Sequence, residues 1–147
     1  MTPAPPRVTT LLTLTALILI ERTATAAPVL PEVSASNFTA NAPIANRYFP
    51  LAPGTVYRAG GIVIDPETGD TALAVDEDFV TSQTQTIAGV AARIVHARTW
   101  HDGILVEDTN DFYAQDKAGN VWYLGEDTTA FTYDDKGNIV ARDKTGS

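Results

Sequence analysis

From Gly54 onward, short runs of β-branched and aromatic residues are cut at intervals by clusters of Gly, Asp and Asn. Within the runs, apolar and polar positions tend to alternate. A period of two sends successive side chains to opposite faces of a strand. GTVYRAGGIVI (Gly54–Ile64) reads as one strand, DPETGD (Asp65–Asp70) as a turn, and FVTSQTQTI (Phe79–Ile87) as a Thr-rich strand. VAARIVHARTW (Val90–Trp100) carries Ala and Arg, which also favour helix. The Asp102-Gly103 pair behind it, followed by ILVEDTNDFYAQ, is a strong hairpin signal and favours strand.

An internal echo strengthens the β reading. AQDKAGNVWYLG and TYDDKGNIVARD both carry Asp-x-x-Gly-Asn followed by a β-branched residue, with Asp116 and Asp134 in matching places. Gly119 and Gly137 are expected in the left-handed conformation of a three-residue loop with a bulge, which glycine adopts without steric cost. Asp116 and Asp134 are expected to accept hydrogen bonds from their own turns. A calcium loop is the competing reading, but Lys117 and Ala118 stand where an EF-hand needs oxygen ligands. The fold class is therefore all-β: an antiparallel meander of about six to eight strands forming a barrel or half-barrel.

The two hairpin loops fix a register. A two-residue turn at Asp102-Gly103 pairs His101 with Ile104, Trp100 with Leu105, Arg98 with Glu107 and His96 with Thr109. A loop at Lys117-Ala118-Gly119 pairs Ala114 with Trp122, Tyr113 with Tyr123 and Phe112 with Leu124. One face then gathers Val95, Ala97, Phe112, Ala114, Trp122 and Leu124 as core. The other gathers Arg98, Trp100, Glu107, Asp111, Tyr113 and Tyr123. That second face is polar yet rich in rings, as ligand surfaces are. It is the expected binding surface for a small or extended ligand such as a glycan, peptide or amphiphile. A plain solvated face with aromatic cross-strand pairs is the alternative.

The N-terminal region differs in kind. Arg7 precedes an apolar run of 13 residues, Val8–Ile20, too short to span a bilayer. Ala24 and Ala26 then stand as an A-x-A cleavage site, so residues 1–26 are expected to be a secretory signal peptide. Residues 27–46, rich in Ala, Pro, Ser and Asn, read as a linker or extended arm, and residues 47–147 as the β domain. The expected location is secreted or periplasmic, with no stable membrane insertion after cleavage.

Charge and cysteine narrow the function. The formal net charge is −8, and removal of residues 1–26, which hold Arg7, Arg22 and Glu21, makes it −9. Nucleic acid would be repelled by most of such a surface. The chain has no cysteine, which removes thiol catalysis and cysteine-based zinc sites. His96 and His101 are the only histidines, and their odd spacing sets them on opposite faces, so no metal site is expected. Glu107 and Asp111 lie four apart on one strand, roughly 13 Å by strand rise, too far for a glycosidase pair. No cofactor-binding motif and no catalytic residue emerges. A non-enzymatic binding domain is favoured over a hydrolase using Asp111 and Glu126, and over a structural module that interacts with the cell envelope.

The stretch DFYAQDKAGNVWYLGE (Asp111–Glu126) resembles the motif of an uncharacterised family of secreted bacterial proteins, Asp-[Trp/Phe]-[Tyr/Phe]-Ala-Gln-Asp-x-x-Gly-Asn-Val-Trp-Tyr-x-Gly-Glu. YFPLAPGTVYR, IAGVAARIV and DGILVEDT are similar to the same family. The resemblance implies an exported β-rich domain and brings no established activity. Its members continue beyond a Gly-Ser, whereas this chain ends at Gly146-Ser147, which implies a C-terminal truncation.

Overall fold

In the computed structural model, which describes residues 31–146, six strands form one sheet in the order β1-β2-β3-β4-β5-β6, every neighbour antiparallel. They are β1 (Val56–Ile64), β2 (Thr71–Ile87), β3 (Val90–His101), β4 (Ile104–Gln115), β5 (Val121–Tyr133) and β6 (Ile139–Gly146). The sheet is a meander that does not close: among the described residues β1 and β6 remain its two edges. The expected signal peptide lies outside the described residues. Among the described residues no helix is long and apolar enough to cross a membrane.

Turn chemistry sets the order. Asp102 and Gly103 both have positive φ, 49° and 83°, and join β3 to β4 as a two-residue turn. Such turns match the twist of the strands they connect. Ala88 and Gly89, at 47° and 80°, do the same between β2 and β3. The two echoed loops share one geometry. Asp116 accepts the amides of Ala118 and Asn120, both at 2.9 Å. Asp134 accepts those of Lys136 and Asn138, at 2.9 and 2.8 Å. Gly119 and Gly137 take φ of 94° and 79°. The first loop adds an indole: Trp122 Nε1 donates to Asp116 Oδ2 at 2.9 Å.

β2 begins at Thr71, well before the strand expected from Phe79. Three consecutive acids, Asp76, Glu77 and Asp78, disguise its first half. The sheet accommodates two of them through partners on β3. Thr99 Oγ1 donates to Asp76 at 2.8 Å, and Arg98 pairs with Glu77 at 3.2 Å.

The register departs from expectation at two places. His101–Ile104 and Trp100–Leu105 pair as expected, but a bulge follows, and Arg98 then faces Asp108 while His96 faces Asn110. A bulge adds one residue to one strand and slips the pairing beyond it. A one-residue slip exchanges the faces of everything that follows. Val95 therefore shares its face with Asp111 and Tyr113, not with Phe112. A second bulge lies between Asp111 and Tyr113 opposite β5, so Phe112 does not pair with Leu124, although Tyr113–Tyr123 and Ala114–Trp122 stand.

Both faces consequently hold apolar packing. On one, Val80 and Val95 form a core with Ile44 and Leu51 from the segment before β1. On the other, Phe112 is buried, and Phe38 meets Trp122 edge-on at 6.0 Å. The segment expected to be a linker or extended arm thus packs against the sheet through Ile44. Ile44 and Leu51 pair with each other, Leu51 N to Ile44 O at 2.9 Å, and are 3% and 2% exposed. Burying two such side chains contributes about 1.5–3 kcal/mol each. Polar bonds fix the path: Ala45 N donates to Gln115 Oε1 at 2.7 Å, and Asn46 Nδ2 to the Gly119 carbonyl at 2.9 Å.

Candidate functional site

The arm does not lie flat on the sheet throughout. Between Tyr48-Phe49-Pro50-Leu51 and the face that carries Val95, it leaves a recess of about 310 Å³. The floor is strand: Tyr57 from β1, Asp78 from β2, Asp111 and Tyr113 from β4. Register explains the company, since Tyr57 pairs with Asp78 and Val95 with Asp111. The roof is the arm, with Tyr48 82% and Phe49 47% exposed. Aromatic rings left open on both sides of a cleft are available to a ligand rather than consumed by the core.

Ring packing orders the far wall. Phe49 meets Tyr113 at 5.6 Å between centroids, and Tyr113 meets Tyr123 at 5.1 Å, both tilted. The Tyr57 hydroxyl donates to the Pro50 carbonyl and ties β1 to the arm. Arg47 stands over the outer ring, its guanidinium carbon 4.9 Å from the Tyr48 centroid.

A three-membered acid–phenol cluster borders the recess. The Tyr123 hydroxyl lies 2.9 Å from Asp111 Oδ1 and 2.5 Å from Glu126 Oε2. One hydroxyl carries one hydrogen, so it cannot donate to both ionised carboxylates at once. Burial raises the Asp111 carboxyl above the ordinary range; the Tyr123 hydroxyl partly offsets this, and Glu126 and Asp78 add to it. Burial, then the neighbouring Asp76, raises Asp78 as well. The phenols shift the same way: Tyr113 is pushed up to about 12, by burial first and by Asp111 next. Tyr123 is raised by desolvation and then by its bonds to Glu126 and Asp111. Both shifts favour the protonated phenol.

The residues expected on one polar-aromatic surface are divided between two. Asp111, Tyr113, Tyr123 and Glu107 share the face beneath the arm. Arg98 and Trp100 lie on the opposite face, where Arg98 stacks over Trp100 at 5.4 Å and pairs with Glu77 rather than Glu107. The bulge near Trp100 is the cause. Tyr48, Phe49, Tyr57 and Asp78 were not foreseen as site residues. The bulky cluster Tyr48–Leu51, abrupt after a small-residue stretch, was the signal available for the first two.

No family model, no curated protein and no solved structure matches the chain.

Proposed function

We propose that this chain is an exported, non-enzymatic β domain that binds a small or extended ligand in the recess between its arm and its sheet. One observation carries this reading. Aromatic rings from three separate segments, Tyr48 and Phe49, Tyr57, and Tyr113, converge on a cavity with two carboxylates on its floor. Convergent rings with a few polar groups are the usual composition of a ligand site. The signal-like N-terminus and the resemblance to secreted proteins support export.

The test is binding to a library of glycans and amphiphiles. A ligand so identified is expected to lose about tenfold or more affinity in Tyr48→Ala combined with Phe49→Ala, since exposed anchor rings contribute at least about 1.4 kcal/mol when they matter. Trp100→Ala, on the other face, is expected to leave it unchanged. Affinity that survives the arm substitutions contradicts the reading.

The hydrolase reading places Asp111 and Glu126 together on one face, which favours it. Against it, the Tyr123 hydroxyl stands between their oxygens, in the space a scissile bond requires. Tyr123→Phe is the discriminating variant. A hydrolase would gain or change activity, and a binding domain shows none in either form.

A further inference from the structure

Charge is distributed unequally between the two faces of the sheet. Asp76, Asp78, Glu107, Asp111 and Glu126 all lie on the face beneath the arm, as their pairing register requires. Among the described residues the ion pairs are His96–Asp108 and Arg98–Glu77, both on the opposite face. Among the described residues the arm-side face has no salt bridge of its own. Arg93, on that side, turns its guanidinium to the carbonyls of Thr81 and Gln83 instead. Arg47 reaches the Tyr48 ring and, among the described residues, forms no ion pair.

The recess therefore joins two features that recognise one chemistry. Its rings offer electron-rich faces, and its floor offers Asp78 and Asp111 without a protein cation to balance them. Aromatic walls with uncompensated carboxylates attract ammonium groups through both the ring quadrupole and Coulomb attraction. The Arg47–Tyr48 stack already places a cation on one of these rings. A cavity of about 310 Å³ suits a small molecule rather than a chain of sugars.

Resting on the binding function proposed above, we infer that the ligand class of this recess is a small organic ammonium ion with an apolar body, its charge between Asp78 and Asp111 and its body against Phe49 and Tyr113. Burial costs both carboxyls solvation. A bound cation would offset that cost.

The experiment uses the whole chain and two probes of nearly equal shape, phenethylammonium chloride and neutral 2-phenylethanol, titrated at low salt with binding read by calorimetry. The ammonium is expected to bind at least about tenfold tighter, and the gap to narrow as salt is added. In Asp78→Asn combined with Asp111→Asn the ratio of the two affinities is expected to fall to about unity. Equal binding of both probes overturns the cation assignment and leaves the recess as a site. A preference that persists in the double variant also overturns it. Binding of neither at millimolar probe overturns both the assignment and the binding function beneath it.

Discussion

The Phe49 ring, carried by the arm, packs on the Tyr113 ring, carried by β4, with centroids 5.6 Å apart. That contact joins two segments far apart in sequence and closes one wall of the recess. It has an anchor beside it: Ile44 and Leu51, paired with each other, insert against Val80 and Val95. The recess thus exists because the arm folds with the sheet.

Ile44→Ala and Leu51→Ala are each expected to destabilise the domain by about 2–4 kcal/mol, through lost transfer energy and the cavity left behind. Urea unfolding checks this. A loss below about 1 kcal/mol would show that the arm lies outside the cooperative unit.

Asp116 predicts a pH dependence. Its carboxyl is lowered to about 2, first by the Trp122 indole and then by Asn120. A lowered carboxylate contributes stability that is full above its unfolded value of about 4 and is lost as pH falls toward the folded value. Asp116→Asn is therefore expected to lower Tm at about pH 6 and to make little difference near pH 2. Asp134 is also lowered, chiefly by Asn138, and has no indole partner, so Asp134→Asn should show a smaller gap. A pH-independent gap in thermal melts would contradict this.

Asp111 predicts the opposite sign. Its carboxyl is raised, so the folded state holds its proton more tightly than the unfolded chain. Stability is then lost as pH rises from the unfolded value of about 4 through the folded one. Asp111→Asn is expected to raise Tm at about pH 7 and to have no such benefit below about pH 4, because the amide oxygen still accepts from Tyr123. A lower Tm at neutral pH would show that the ionised group is stabilising where it stands.

Much of the fold was legible in the sequence, and for identifiable reasons. Asp102-Gly103 and the two Asp-x-x-Gly-Asn loops announce themselves because positive φ needs Gly or Asn/Asp there. Ala88-Gly89 makes the same turn without the same signal, since alanine rarely adopts φ of 47°. The bulge beside Trp100 left no mark in composition, and it divided the expected surface in two. The recess itself depends on long-range packing of the arm, which periodicity does not encode. Hence Asp111 and Tyr113 were expected on one surface, and the approach of Tyr57 and Asp78 to them was not.

The Ala88 turn offers a direct stability test. An L residue with a Cβ in the left-handed region costs about 1–2 kcal/mol, and Asn or Gly pays less of it. Ala88→Asn is expected to stabilise by about 0.5–1 kcal/mol, read by denaturant midpoint. An unchanged or lowered midpoint would mean the turn is held by its neighbours at no local cost.

The most direct measurement is backbone amide chemical-shift mapping during titration with phenethylammonium. Shifts concentrated at Tyr48, Phe49, Leu51, Tyr57, Asp78, Asp111 and Tyr113 are expected, with Arg98 and Trp100 silent. Shifts centred on Arg98 and Trp100, or spread evenly over both faces, would contradict a binding site beneath the arm.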